Sequence, residues 1–113
     1  MSDCLFCRIV AGEIPAKKIY EDEDIVAFHD INPQASLHVL IIPRQHIATI
    51  NDMQPADAEL VGKLFLAAKK IAADTGYAEG YRVFMNCGEQ GGQVIFHMHL
   101  HLLAGETLQR LPG

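Results

Sequence analysis

The chain has 113 residues, of which 50% are hydrophobic and 20% are charged, so we expect one globular domain spanning residues 1–113. Its formal charge of -5 argues against nucleic-acid binding, which requires a basic surface. No apolar run approaches the roughly 20 residues of a membrane span, and the N-terminal stretch lacks the basic segment of a signal peptide. Three cysteines, an odd number, do not suggest a disulfide framework, which predicts a cytoplasmic protein with reduced thiols.

Hydrophobic periodicity predicts two helices and about five strands. The first helix is short and has Asp3 as its N-cap, whereas the second begins near Pro55 and carries one apolar stripe. Short links join successive strands, which favours an α+β fold with a mainly antiparallel sheet. In chain order the predicted elements are a helix at 3–11, strands at 17–22 and 24–30, a turn at 31–36, a strand at 37–43, a connector at 44–54, a helix at 55–75, a strand at 81–86, a loop at 87–92 and a strand at 93–104.

Three of the six histidines alternate with apolar residues in the last predicted strand. Because successive side chains of a strand point to opposite faces, His97, His99 and His101 would project from one face at spacings of about 6.6 Å. A single histidine in a strand is usually a packed or surface residue, but three in strict alternation indicate catalysis or metal ligation. The opposite face would carry a core row of Phe96, Met98, Leu100 and Leu102.

Imidazole chemistry and the loop before these histidines point to a phosphorus centre. Neutral imidazole has an ordinary pKa of about 6.5 and acts as nucleophile, base or acid at cellular pH. Attack on phosphorus would give a phosphohistidine-type intermediate. The glycine-rich loop at 87–92 offers backbone N–H groups that suit an anion-binding nest, although its composition also fits a tight hairpin loop.

These residues resemble the signature of the histidine triad family. The segment His97–Leu103 fits the pattern His-φ-His-φ-His-φ-φ, in which φ is an apolar residue. The similarity extends over nearly the whole chain and is greatest to the Hint branch, the purine nucleoside phosphoramidases. The motifs that carry it are Phe28–Ala35, Leu37–His38 through Ile42–Pro43, Gly80–Arg82 leading to Asn86, and Gly91–Gln93.

The resemblance implies a histidine-triad fold, a homodimer whose sheets join across the interface, and a hydrolase. Such an enzyme cleaves the P–N bond of adenosine or guanosine 5′-phosphoramidates, including AMP-lysine, to AMP or GMP and an amine. His99 would attack the α-phosphorus and form a nucleotidyl-histidine. His101 and His38 would surround the phosphate and the leaving group, and His97 would support the site from the first triad position.

The same resemblance implies a nucleotide-binding pocket. Asp30 would bind the ribose hydroxyls, which suits a carboxylate. Asn86, Gly92, Gln93 and the backbone at Val94 would contact phosphate or ribose. The base pocket would consist of Phe6, Ile9, Phe28, His29, Ile31 and Leu40.

Two departures from the Hint pattern bear on the leaving group. Val94 stands where many relatives have serine, so a hydroxyl donor is lost while the backbone N–H is retained. The C-terminal tail, residues 106–113, lacks the aromatic residues that some members place near the partner's site. The core chemistry is unaffected by either change.

Cys4 and Cys7 form a CxxC motif near the N-terminus. A redox dithiol normally lies in a thioredoxin-like βαβ context, which the predicted elements do not show, and two incidental apolar cysteines are a second possibility. The motif also supplies half of a zinc site. Relatives with this motif complete it with a histidine after the Ile-Pro strand and with the first triad histidine. The resemblance therefore implies a structural zinc on Cys4, Cys7, His46 and His97.

Two other functions stay open from the sequence. The first is hydrolysis of dinucleoside polyphosphates, which is the activity of a sister branch of the same family. The second is a non-catalytic regulatory protein that binds a nucleotide or zinc. Neither alternative involves a nucleic acid or a membrane.

Overall fold

The computed structural model describes residues 3–105, which are arranged around a five-stranded sheet. Its strands lie in the order β1-β2-β3-β5-β4, and each neighbouring pair is antiparallel. This confirms the predicted α+β fold with a short N-terminal helix and one long helix. The elements are α1 (Leu5–Val10), β1 (Lys18–Glu21), β2 (Ile25–His29), β3 (Leu37–Pro43), α2 (Ala58–Asp74), β4 (Arg82–Phe84) and β5 (Leu100–Ala104).

One face of the sheet packs against α2. Strand alternation sends Val39 and Ile41 of β3 to this face, and Leu64 and Ile71 from the apolar stripe of α2 cover them. All four side chains are at most 2% exposed. Burial of each such aliphatic side chain contributes roughly 1.5–3 kcal/mol, so this layer is the main core of the fold.

The opposite face of the sheet packs against α1. Phe28 of β2 and Leu40 of β3 point to this side and contact Phe6 and Ile9 of the helix. His38 and Leu40 share a face because they are two residues apart on one strand. All of β3 is buried, so its two faces serve the core on one side and a candidate site on the other.

The N-terminus of α1 differs from the prediction. Cys4, not Asp3, is the N-cap, and its Sγ accepts a hydrogen bond from the backbone N–H of Cys7 at 3.3 Å. The sequence favoured Asp3 because aspartate is a common N-cap. The observed cap places both cysteines of the CxxC motif at the first turn of the helix.

The last strand is shorter than the predicted range 93–104. Only Leu100–Ala104 pairs with neighbouring strands, while the segment before it is extended or bent. The backbone N–H of Met98 donates to the carbonyl of Ile47 in the connector at 2.7 Å, which takes this segment away from the sheet ladder. Met98 reaches the core as expected, but Phe96 is 44% exposed and does not belong to the predicted core row.

Two further predictions concern a membrane span and the C-terminal tail. No helix within residues 3–105 has the length and apolar character needed to cross a membrane. The tail at 106–113, whose composition departs from the Hint pattern, lies outside the described residues.

Candidate active site

His99 is buried on the α1 side of the sheet and is held in one tautomer. Its Nδ1–H donates to the carbonyl oxygen of His97 at 2.8 Å. Because a carbonyl can only accept, the proton of neutral His99 is on Nδ1 and the lone pair is on Nε2. Phe6 packs edge-on against the ring, with centroids 5.1 Å apart. His99 therefore has the protonation and the support that a nucleophile requires.

His38 and His101 form a hydrogen bond whose direction is fixed by the backbone. The N–H of Gln34 donates to Nδ1 of His38 at 3.0 Å, so the proton of His38 is on Nε2. That Nε2–H donates to Nδ1 of His101, which is also 3.0 Å away. His101 consequently carries its own proton on Nε2. Oδ2 of Asp30 lies 3.5 Å from Nε2 of His38, and its Oδ1 accepts from the N–H of Asn32 at 2.8 Å.

Burial keeps these imidazoles neutral. Desolvation lowers the pKa of His38 and of His99, and it lowers the pKa of His101 to about 4. For His101 the neighbouring imidazoles His99 and His38 lower the pKa further. Asp30 opposes the shift in all three, because a nearby carboxylate favours the imidazolium form. At neutral pH the site therefore offers lone pairs and neutral N–H donors.

A cavity of about 500 Å³ lies beside His99 and His101, within the size range of small-molecule sites. Its apolar end is formed by α1 and by the facing strands, where the rings of Phe6 and Phe28 meet at 74° with centroids 5.4 Å apart. His38 lines an adjoining cavity that shares Asp30 with the first. The predicted nucleotide-site residues that line the first cavity are Phe6, Ile9, Phe28, His29, Asp30, Ile31, Leu40, Asn86, Gly92 and Val94.

Gln93 is the predicted nucleotide-site residue that does not line this cavity. Its side chain is buried and braces the loop: Nε2 donates to the carbonyls of Ala48 and Ile95 at 2.7 and 3.0 Å, and Oε1 accepts from the N–H of Gly88 at 2.8 Å. Both amide protons are used within the protein. In this structure the side chain positions the loop, and the expected contact with phosphate or ribose stays a prediction.

The glycine-rich loop is also less open than an anion-binding nest requires. The N–H groups of Gly91 and Gln93 both donate to the carbonyl of Gly88, and that of Gly92 donates to Glu89. These donors are used inside a short 3₁₀ turn, Glu89–Gly91, so the nest predicted at 87–92 is not formed by them. Gly92 has a φ of +89°, a conformation that favours glycine, and it lines the cavity wall next to Asn86.

Sequence reasoning missed several residues of the site. Phe84 stacks on His101, with centroids 4.4 Å apart and planes 7° from parallel. Its register opposite His101 comes from the pairing of β4 with β5, which the sequence does not specify. The other missed residues that line the cavity are Leu5, Ile14, Pro15, Ala16, Asn32 and Ile95.

Cys4, Cys7, His46 and His97 converge beside the active site. Nε2–H of His97 donates to the carbonyl of Pro43 at 2.8 Å, which leaves the lone pair on Nδ1. This Nδ1 lies 3.3 Å from Sγ of Cys4, 3.5 Å from Sγ of Cys7 and 3.2 Å from Nδ1 of His46. Sγ of Cys7 is in turn 3.2 Å from Nδ1 of His46. His97 therefore faces this cluster with its ring and faces His99 with its carbonyl.

The geometry of this cluster fits a tetrahedral metal ion. All four ligand atoms lie within 4.8 Å of one another. With ordinary zinc bond lengths, nitrogen and sulfur ligands are about 3.5 Å apart and two nitrogens about 3.3 Å apart. Two thiols and two imidazoles are the donor set of many structural zinc sites. The residues present could thus bind a metal without rearrangement.

Comparison with known proteins agrees with this fold and site. The family model of the HIT domain matches residues 11–108. An uncharacterized HIT-like protein of Synechococcus elongatus is 45% identical over 111 residues, which are 98% of this chain and 97% of that protein. A HIT family hydrolase from Legionella pneumophila is 51% identical, with a TM-score of 0.95 over 98% of this chain and 100% of the other. A histidine triad protein from Clostridium difficile is 40% identical, with the same TM-score over 98% and 97%.

The chain therefore belongs to the HIT family, as the histidine motif suggested. One of its solved relatives is described as a hydrolase, and the two chains share their fold over 98% of this chain. This supports a hydrolase in general terms.

The neutral histidines predict how stability changes with pH. Because burial lowers the pKa of His38, His97, His99 and His101, the unfolded chain binds more protons than the folded one between the ordinary value of about 6.5 and the folded values. We expect the free energy of unfolding to fall as the pH decreases from about 6.5 to about 4. Urea titrations across this range measure it, and His101→Asn should reduce the slope. A free energy that rises on acidification would contradict the buried neutral site.

Proposed function

We propose that this protein hydrolyses the P–N bond of purine nucleoside 5′-phosphoramidates. The observation that carries the proposal is the unprotonated Nε2 of His99 at the wall of a cavity large enough for a nucleoside. The cavity combines an apolar end at Phe6 and Phe28 with a carboxylate at Asp30. This combination suits a purine base at one end and ribose hydroxyls near the other.

The proposed reaction has two displacements at phosphorus. In the first, Nε2 of His99 attacks, the P–Nε2 bond forms and the P–N bond to the amine breaks. The amine leaves with a proton from Nε2 of His101 in its imidazolium form, which gains its second proton when the anionic substrate binds. In the second, water attacks the same phosphorus and the P–Nε2 bond breaks. One proton of this water goes to His101 and replaces the proton that the amine took. The sum is a phosphoramidate plus water giving a nucleotide plus an amine.

The surrounding residues have defined parts in this proposal. The carbonyl of His97 accepts from Nδ1–H of His99 and stabilises the positive charge that this imidazole carries once phosphorylated. His38 fixes the tautomer of His101 through their 3.0 Å hydrogen bond. Asp30 raises the pKa of both rings, and an anionic phosphate would act in the same direction. Substrate binding is therefore expected to increase the fraction of His101 that is protonated and able to donate.

Turnover of an adenosine phosphoramidate tests the proposal. We expect His99→Ala to lower kcat by at least about 10³-fold, since it removes the nucleophile. His101→Asn should lower it by about 10²–10⁴-fold, the usual contribution of an acid or base. Single-turnover quenching followed by mass spectrometry should detect the nucleotide on His99 in the wild type and no adduct in His99→Ala.

The same assay distinguishes the alternatives. Hydrolysis of diadenosine polyphosphates but not of phosphoramidates would assign the protein to the sister activity. Nucleotide binding without turnover of either substrate would favour a regulatory role. Lys70→Met, on the exposed far surface of α2, serves as the control and should match the wild type.

We further propose that the Cys/His cluster binds one structural zinc ion. The distances among its four ligand atoms support this. The hydrogen bond from Nε2–H of His97 to the carbonyl of Pro43 supports it as well, because metal-binding histidines typically donate their other ring N–H in this way. When bound, zinc would supply a cross-link between α1 and the histidine segment. It would not take part in the displacements.

Metal analysis tests the zinc proposal. Protein purified without a metal-affinity column should contain one zinc per chain, and the double variant Cys4→Ser and Cys7→Ser should contain none. Its unfolding temperature should also decrease, because metal binding to the folded state stabilises it. Cys87→Ser, which changes the cysteine outside the cluster, should keep the metal. Stoichiometric zinc in the double variant would contradict the assignment.

A homodimer formed through the β4 edge is proposed as the assembly. β4 pairs only with β5 in the described sheet, and its free edge lies beside the exposed rings of Tyr81 and Phe84. An edge strand with apolar neighbours favours pairing with a second copy. Sedimentation equilibrium should give twice the chain mass, and Tyr81→Ser, which removes an exposed ring near this edge, should shift the protein toward monomer. A wild-type monomer at micromolar concentration would overturn this.

A further inference from the structure

The short helix α1 belongs to both the Cys/His cluster and the nucleotide cavity. Cys4 and Cys7 lie at its first turn and face His97. Phe6, between them in the sequence, is 3% exposed and lines the cavity. Its ring contacts His97 and His99 at centroid distances of 5.9 and 5.1 Å. One turn of helix therefore connects the metal ligands to the nucleophile.

A second connection runs through the backbone of His97. The ring of this residue is held at Nε2 by Pro43 and at Nδ1 by the cluster. Its carbonyl is the acceptor for Nδ1–H of His99. A displacement of the His97 ring would thus move the group that fixes the tautomer of the nucleophile.

The helix itself is too short to hold its position alone. Helices below about 12–15 residues are marginal in water, and α1 has six residues. Its anchors are the burial of Phe6 and Ile9 at one end of the cavity and the two cysteines at the cluster. Loss of the cysteine anchor would leave the cavity wall to be ordered by the ligand.

We infer that the metal centre positions the nucleotide site, so that metal and nucleotide bind with positive coupling. The inference rests on the proposed function and adds Phe6 as a positioning residue between the two sites. Because a coupling free energy is reciprocal, nucleotide must tighten metal binding by the same factor by which metal tightens nucleotide binding. A metal that only stabilised the fold, with the cavity unchanged in its absence, would show no such factor.

Metal affinity provides a readout that does not depend on turnover. Co²⁺ is added to the metal-free full-length protein, and its dissociation constant is measured by competition with a chromogenic chelator, with and without saturating AMP. We expect AMP to tighten Co²⁺ binding by at least about fivefold, within the range of ordinary allosteric coupling. Binding of Co²⁺ by free AMP is weak and would lower the apparent affinity of the protein for Co²⁺, so it cannot produce the expected increase. Adenosine, which has no phosphate, serves as a second probe.

The reciprocal measurement and two matched variants complete the test. AMP affinity by calorimetry should be higher for the metal-loaded protein by the same factor. Phe6→Leu should keep one metal per chain but reduce the factor toward one. Phe96→Leu is the control, because Phe96 lines the surface pocket beside the cluster and not the nucleotide cavity. It should retain the full coupling.

The outcomes separate this inference from the proposed function. Equal Co²⁺ affinities with and without AMP, or full coupling in Phe6→Leu, would overturn the inference. Phosphoramidate turnover by the wild type would still support the proposed function in that case. A protein that binds no Co²⁺ would overturn it as well. Coupling of the expected size without turnover would support the inference and contradict the hydrolase.

Discussion

The hydrogen bond from Nδ1–H of His99 to the carbonyl of His97 is the interaction on which the site depends. It is 2.8 Å long, it is buried, and it determines which nitrogen of His99 has the lone pair. The same residue that supplies the carbonyl also offers its ring to the Cys/His cluster. The geometry of His97 therefore affects both the orientation of the His99 ring and the arrangement of the four side chains that could bind a metal.

The two-sided sheet explains how a chain of 113 residues accommodates this arrangement. A domain of this size buries about two-thirds of its unfolded surface, which leaves little material for a separate binding module. Strand β3 resolves the problem by alternation: Val39 and Ile41 face the α2 core, while Leu40 faces the cavity beside His99 and His38 faces the adjoining cavity. The site thus lies on the back of the core. Strands position His38 and His101, whereas His99 lies in the unpaired segment just before β5.

Much of the fold follows from local pattern, and what was missed depends on tertiary contacts. The bounds of β3 were predicted without error because its apolar run ends at Pro43. The alternating pattern at 93–99 suggested a strand, but alternation alone does not determine pairing. The N–H of Met98 instead bonds to Ile47, which is distant in sequence and lies in the connector. The hydrogen bonds of Gln93 could not be predicted either, because its partners, such as Ala48, are remote in sequence. The roles assigned to His38, Asp30 and the triad stay predictions, although the structure brings these residues together.

A site of neutral imidazoles is consistent with the proposed nucleotide substrate of an acidic protein. With a net charge of -5, the chain as a whole would not attract an anion, and protonated histidines would attract one only by giving up the lone pair that the proposed mechanism needs. Burial instead holds His99 unprotonated, and Asp30 limits how far the pKa of His101 falls. In the proposed mechanism the phosphate of the substrate would add its own charge beside His101, so the protonated fraction of His101 would increase when substrate is bound. Phe6 of α1 packs against His99 and contributes to this burial, so the shorter of the two α-helices within residues 3–105 is the one that supports the proposed nucleophile.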